Sequence, residues 1–335
     1  MRGVRGDECS RKAPAALWCP AKTDYGDVVH REQYRTAFSQ VRLDEAGRRA
    51  GSGPIMVHEW PAERDSTNTR LAALLESGVR VPDFAVVGAD HQVGGQGRLG
   101  RTWSVPARAA LTFSVPVAVP AGTDLSCLGW IPVVTGLAVT RALADLGVEA
   151  GIKWPNDVLS AEGRKLCGIL SRLVLLPDGG RTVVVGIGTN VSLTEEELPV
   201  GTATSILLEG GRPDREALLA AIMLRLPGLI REVLDAGPGF SATRAAAEVR
   251  EAMVTLGSRV RVHLPGDTSF TGTAAGLDAE ANLLVRRDAE ASAGGSGAGA
   301  PAVDGGAVPA GQADAAGQAG LVRVSAGDVV HVRPA

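Results

Sequence analysis

Aromatic side chains are scarce in this chain of 335 residues: five Trp, five Phe and two Tyr amount to 4%. The apolar content still reaches 45%, so small aliphatic residues must supply most of the core. The length allows one large domain and a small one. Cysteine is equally thin. Cys9, Cys19, Cys127 and Cys167 form no Cys-x-x-Cys pair and no metal-ligand spacing, which fits a reducing cytoplasm better than a disulfide framework or a structural zinc. Charge of one sign is not in excess either, with 34 basic against 37 acidic residues and a net charge of −3. That balance argues against a general nucleic-acid binder. No apolar run approaches the roughly 20 residues of a membrane span, and the arginine-bearing amino terminus lacks an apolar segment of signal-peptide length.

Two stretches lack apolar periodicity. Residues 1–53 scatter charges of both signs and close on Gly51-Ser52-Gly53, so they read as a disordered extension rather than a winged helix. Residues 289–320 are almost wholly Ala, Gly, Ser and Pro with a few Asp and Gln. Such a segment cannot bury enough surface to offset its ordering entropy, and it reads as a disordered insertion.

Glycine, by contrast, is plentiful, with 43 residues. Gly94, Gly95, Gly97 and Gly100 fall between Ala89 and Trp103, after a compact apolar run at 84–88 that reads as a buried strand. Between Val93 and Ala110 the only charged side chains are Arg98, Arg101 and Arg108. A mobile, purely cationic loop with many free backbone N–H groups suits an anion, phosphate above all. The spacing is not the dinucleotide fingerprint, and the Gly-Lys-Ser/Thr ending of a Walker loop is missing. A solvated glycine loop is the plain alternative.

The rest of the chain reads as α+β. The ordered domain begins near Ile55, and Asp65 or Ser66 caps a helix whose Leu71, Leu74 and Leu75 share a face, with Gly78 ending it. Strand character follows at 110–115, then a long apolar helix over 125–146 whose start Pro132 marks. Short strands flank Pro155-Asn156-Asp157, and turns at Glu162-Gly163 and at 177–180 produce an antiparallel meander from Lys165 to Ile187. A helical tract from Pro213 to about Leu234 is expected to kink or split at Pro227-Gly228, and a last helix runs over 242–253. Beyond Gly257 about five short alternating strands appear. The expected architecture is a mixed, largely antiparallel sheet with flanking helices over 54–254, plus a small C-terminal β-barrel over 255–335 interrupted at 289–320.

Five motifs in order carry a resemblance. The glycine loop is similar to the Gly-Arg-Gly-Arg-x-Gly-Arg-x-Trp loop of biotin protein ligases. Asp65-Ser66-Thr67-Asn68 precedes it, and Lys153-Trp154-Pro155-Asn156-Asp157, Lys165-Leu166-Cys167-Gly168-Ile169-Leu170 and Gly186-Ile187-Gly188-Thr189-Asn190 follow. One departure stands out: Gln96 occupies the place of the family's first loop arginine. The resemblance implies a class II synthetase-like, biotin–lipoate ligase fold in a monofunctional enzyme without a DNA-binding domain. It implies that Ser66, Thr67, Asn68 and Gln92 border biotin, with Gln96, Gly97, Arg98 and Lys165 beside its carboxylate. It places Arg98, Arg101, Trp103, Asn156, Asp157 and Asn190 around ATP, which brings Mg²⁺. Lys165 and Arg98 would be catalytic, because a fixed cation relieves the repulsion between a carboxylate and the α-phosphate. The implied partner is the biotin carrier domain of an acyl-CoA carboxylase, met by a cytoplasmic monomer or weak homodimer with no nucleic acid and no membrane involved. A lipoate ligase of the same fold and a non-catalytic biotin or adenylate sensor are the competing readings. Each residue also has an ordinary role open to it: Ser66 as a helix cap, Gln92 as a loop amide, Asn156-Asp157 as turn chemistry, Trp103 as core, Lys165 as a solvated strand lysine. Cys167, between Leu166 and Gly168 in an apolar strand, reads as a small buried hydrophobe.

Overall fold

The computed structural model describes residues 31–263, 268–288, 320–325 and 328–331. Two short helices come first, α1 (Arg31–Tyr34) and α2 (Gln40–Ala50). Strand β1 (Val57–Glu59), helix α3 (Thr67–Glu76) and strand β2 (Val86–Ala89) lead into a small hairpin of β3 (Gly95–Gln96) and β4 (Thr102–Trp103). Strand β5 (Ala110–Val119), helix α4 (Trp130–Asp145) and the antiparallel meander β6 (Ala150–Lys153), β7 (Asp157–Ser160), β8 (Lys165–Leu175) and β9 (Arg181–Asn190) follow. Helices α5 (Arg215–Ala236) and α6 (Arg244–Glu251) complete this part. The main sheet has seven strands in the order β1-β2-β5-β9-β8-β7-β6, with only the β1–β2 pair parallel.

Strand alternation explains the layering. On β9, Val183, Val185 and Ile187 point into one large core shared with α4 and α5. Val184 points the other way, onto Leu71 and Leu75 of α3. Period-2 patterning therefore places α3 and the long helices on opposite faces.

The stretch Leu125–Asp145 is in fact long and apolar enough to cross a membrane by length and composition, which the sequence expectation missed. Its side chains are mostly buried against the sheet, α5 and α6, and that packing accounts for its hydropathy. A 3₁₀ turn covers Leu125–Gly129 and α4 begins at Trp130, so Pro132 sits in the first turn, where a missing N–H costs nothing. Helix α5 runs through Pro227 as a single helix of 22 residues, so the tract does not split in two there. Leu218, Leu219 and Ile222 before the proline and Leu226, Ile230 and Val233 around and beyond it are all fully buried in the same core. Burial on that scale outweighs the roughly 3 kcal/mol that an interior proline costs. The cap is Asp214, whose side chain accepts from the Ala217 N–H at 2.9 Å; Pro213 lies outside the helix.

Residues 31–53 also correct the sequence reading. Helix α2 is capped by Ser39 and stopped by Gly51 in the left-handed region, and Leu43 is fully buried. The Arg42 guanidinium reaches Glu216 at 2.6 Å, and Arg35 reaches Glu197 at 2.5 Å and the Ser192 carbonyl at 2.8 Å. Phe38 stacks on Trp60 at 4.0 Å between ring centroids. Leu43, Ala46, Gly47 and Ala50 do fall at helical spacing on the docked face, but all except the leucine are small, so the apolar stripe is faint, and Phe38 and the long-range ion pairs complete the docking. Residues 1–30 and 289–319 lie outside the described residues, so the expectations for them stand apart from the structure.

The C-terminal part is a five-stranded antiparallel sheet, β10 (Arg259–His263), β11 (Ser269–Leu277), β12 (Leu283–Arg287), β13 (Leu321–Val324) and β14 (Asp328–His331), in the order β13-β12-β11-β10-β14. Val260, Val262, Leu283 and Val285 join the same core as α4. Trp130 Nε1 donates to the Ala279 carbonyl at 2.8 Å and Trp154 Nε1 to that of Ala281 at 2.9 Å. This sheet is thus fastened to the larger domain.

Candidate active site

The cleft of about 1230 Å³ lies on the α3 face of the main sheet. Its floor follows from three glycines. Gly168 and Gly188 are register partners on β8 and β9, and Gly186 lies two residues along. A Cβ on Gly186 would sit 2.2 Å from Asn68 Oδ1, and one on Gly188 would sit 3.1 Å from the Trp103 ring. Alternation aims these positions into the cleft, and the missing side chains leave it flat.

One end of the cleft is polar and built on the start of α3. Ser66 accepts from the Thr69 N–H at 3.3 Å, and the Gln92 carbonyl oxygen accepts from the Thr67 N–H at 2.7 Å. Asn68 donates to the Leu170 carbonyl at 2.9 Å, and its own Oδ1 accepts from the Ser114 hydroxyl at 2.7 Å. Ser114 spends its one proton there, so Thr67 must donate to Ser114 across their 2.8 Å contact. Each amide keeps unused capacity: Asn68 retains one N–H and a lone pair, and the Gln92 amino group faces the hairpin. The cap role and the cleft role of Ser66 coexist.

The other end is cationic. Lys165 Nζ lies 2.6 Å from Asp157 Oδ1, and Arg98 donates to Asn156 Oδ1 at 3.4 Å. Asn156 is itself held, donating to the Ile169 carbonyl at 2.8 Å. Burial pulls the Arg98 guanidinium below its ordinary pKa while Asp157 opposes the shift; an arginine stays charged regardless. Arg101, Gln96 and Gly97 line the same space from the hairpin, with Gln96 exposed. Trp103 covers Gly168 and Gly188, and its Nε1 is buried without a partner. Asn190, 2% exposed, donates to the Thr204 carbonyl at 2.8 Å, which leaves its buried Oδ1 unpartnered. All the residues expected at the site therefore share one cleft.

The glycine stretch itself differs from the mobile loop with free donors expected of it. Gly95 and Gln96 pair with Trp103 and Thr102. The N–H groups of Gly94, Gly97 and Arg101 are spent on Asp65, Arg101 and Arg98 carbonyls at 2.9, 2.7 and 3.2 Å. A Cβ on Gly95 would meet the Trp103 carbonyl at 2.4 Å, and Gly100 has φ +71°. The glycines serve close strand pairing and a tight tip at least as much as a ligand.

Two residues of the lining were missed as site residues. Lys153 ends β6 opposite Asp157; it lay inside a quoted motif, and strand alternation from the buried Trp154 could have exposed it. Burial lowers its ammonium pKa, Asp157 raises it, and Lys165 and Arg101 lower it further. His331 arrives from β14 and contacts Thr255 Oγ1 at 3.2 Å. No local signal marks a histidine delivered from a separate sheet. Cys167, fully buried, has its thiol pushed up to about 12 by desolvation, so it stays protonated and serves as packing, as its apolar neighbours imply.

Residues 61–190 match the Biotin/lipoate A/B protein ligase family. The biotin–[acetyl-CoA-carboxylase] ligase of Mycobacterium tuberculosis is 34% identical over 310 residues, which span 91% of this chain and 100% of that one. This chain belongs to the biotin protein ligase family. The bifunctional ligase/repressor BirA of Bacillus subtilis is 27% identical, over 77% of this chain and 79% of its own. Among solved structures, the biotin protein ligase from Aquifex aeolicus in complex with biotin and ATP superposes with a TM-score of 0.58 at 25% identity, covering 82% of this chain and 98% of that chain. A biotin protein ligase is an enzyme of the ligase class, and its α+β sheet with flanking helices is the fold the sequence pointed to.

Proposed function

We propose that this cleft joins biotin to ATP as biotinyl-5′-AMP and then passes the biotinyl group to a lysine on the biotin carrier domain of an acyl-CoA carboxylase. The observation that carries the reading is a single cleft with hydrogen-bonding amides at one end, a flat glycine floor, and Arg98, Arg101 and Lys165 at the other. A ureido ring offers donors and an acceptor, which the spare capacity of Asn68 and Gln92 beside Ser66 and Thr67 complements. The chain of biotin then lies along Gly186 and Gly188. Its carboxylate arrives near Lys165, with Gln96, Gly97 and Arg98 above.

One carboxylate oxygen attacks the α-phosphorus, the bond to the β-phosphate oxygen breaks, and pyrophosphate leaves with the electron pair. Lys165 and Arg98 offset the charge that builds as two anions meet. Trp103 walls the adenylate side, and Asn156, Asp157, Arg101 and Asn190 hold the nucleotide. Asp157 and the unpartnered Asn190 Oδ1 are hard oxygen donors that suit Mg²⁺ carried in by ATP. Among the described residues no cluster of three His, Cys, Asp or Glu builds a protein-only site, which fits a cation held chiefly by phosphates and water. When bound, it would neutralise phosphate charge. The hairpin then shields the mixed anhydride from water until the carrier amine attacks its carbonyl and AMP departs.

Mass spectrometry of a carrier domain incubated with the protein, ATP and either biotin or lipoate tests the reading. The expected product carries biotin alone. A lipoylated product would show the fold's other substrate class, and an unmodified carrier with no pyrophosphate released would leave a sensor.

A further inference from the structure

Lys153 has a place but no role in the scheme above. Strand β6 is stitched on both sides: β7 pairs along one edge, and the Ile152 N–H and carbonyl bond to Ala252 and Val254 at 2.8 and 2.9 Å on the other. The next residue, Trp154, is 3% exposed and pinned through its backbone N–H to Thr255 Oγ1 at 2.9 Å. Alternation therefore aims Lys153 away from the core and into the cleft, on a backbone that cannot swing. Its register partner Asp157 is already committed to Lys165 at 2.6 Å. One carboxylate thus faces two ammonium groups, with Arg98 and Arg101 close enough to bear on the same charges. At the rim, Arg164 is matched by Glu209 at 2.8 Å. Among the described residues, the cleft-lining carboxylate set opposite both Lys153 and Lys165 is that of Asp157. A half-buried ammonium short of a counter-ion is costly unless an anion arrives to meet it.

We propose that Lys153 is a pyrophosphate-binding residue, holding the β- and γ-phosphates of ATP while Lys165 serves the α-phosphate and the biotin carboxylate. The assignment rests on the biotin–ATP reading and divides labour within it. When the α–β bond breaks, the departing pyrophosphate carries the electron pair, and Lys153 receives that charge on the side away from biotin. His331 lines the cleft close enough to Lys153 to feel its charge, which brings the C-terminal sheet to this part of the cleft.

The division is open to measurement in the two half-reactions. Biotin-dependent exchange of labelled pyrophosphate into ATP reports adenylation, and transfer from supplied biotinyl-5′-AMP to a carrier domain bypasses it. In Lys153→Met the KM for inorganic pyrophosphate should rise and exchange should fall by roughly 10- to 100-fold, the scale of one charge-assisted contact. Biotin affinity and transfer from supplied adenylate should stay within about twofold, and Lys153→Arg should recover most of the exchange. Lys153→Gln, which keeps a polar end over Asp157, is run beside it so that a folding defect in the methionine variant does not decide the outcome. An unchanged KM for pyrophosphate in the folded variants, or an equal fall in transfer from supplied adenylate, overturns the assignment. A parent protein without biotin-dependent exchange overturns the biotin–ATP reading itself, which is a separate result.

Discussion

Lys165 and Gly186 show how single residues shape this cleft. Lys165 is held by its backbone as well as its charge: its N–H donates to the Thr202 carbonyl at 2.7 Å, and its carbonyl accepts from Thr204 at 2.9 Å. The Asp157 carboxylate then aims the ammonium. Lys165→Ala should therefore lower the adenylation rate by about a hundred- to a thousandfold, read as biotin-dependent pyrophosphate release by a variant whose circular dichroism matches the parent. Near-normal release would remove Lys165 from the chemistry. Gly186 acts by having no side chain. Its φ is unremarkable, so alanine is tolerated by the backbone, but the new methyl group would overlap Asn68, itself tied to Ser114 and Leu170. Gly186→Ala should cost about 1–3 kcal/mol of stability by overpacking and raise the KM for biotin well above that for ATP. Equal changes in both KM values would mean that Asn68 does not face biotin.

At the scale of elements, one carboxylate joins the segment just before α2 to the residues that flank the hairpin. Asp90, 6% exposed, lies just before the hairpin and accepts from Trp60 Nε1 and Arg108 Nε, each at 3.1 Å, and from the Phe38 N–H at 3.3 Å. Arg215 of α5 pairs with it at 3.0 Å and also donates to the Thr36 carbonyl at 2.7 Å. The amino-terminal segment is thereby tied to the base of the active-site hairpin. Leu43 is the one fully buried aliphatic side chain of α2, so Leu43→Ala should cost about 2–5 kcal/mol, measured by denaturant unfolding. A loss below about 0.5 kcal/mol, the range of an exposed site, would show that α2 is not docked in solution. The structure caps α2 with Ser39 and stops it at Gly51, where the sequence was read as a disordered extension ending in a linker. The docking was not readable in the chain, because the partners Glu216 and Glu197 lie more than 150 residues away.

For the whole molecule, the telling feature is that the C-terminal sheet both shares the core and reaches the cleft. His331 sits at that seam, with burial and then the charge of Lys153 holding its imidazole pKa below the ordinary value. Above a pH of about 6.5 folded and unfolded chains both carry it neutral, and it adds no slope. Below that value the unfolded chain takes up a proton that the folded one resists, so stability falls as pH drops from about 6.5 toward the lower folded-state value. Melting temperatures across pH 7.5 to 5.5, a range chosen to span about one unit either side of 6.5, should decline less steeply in His331→Gln than in the parent. Parallel curves would show His331 to be solvated.

What the chain determined by itself was local: a cap for α3 at Asp65 or Ser66, the antiparallel meander, and the order of five motifs. Capping, alternation and backbone freedom act over a few residues, so they are written in consecutive positions. Only the tertiary structure decided that α5 continues past Pro227, that the glycine stretch is a paired hairpin, that residues 31–53 pack, and that Lys153 and His331 enter the cleft. The hairpin pairs neighbours within one short stretch, Gly95 with Trp103 and Gln96 with Thr102; the others depend on burial or charge supplied by partners distant in the chain, and such energies outweigh local propensity.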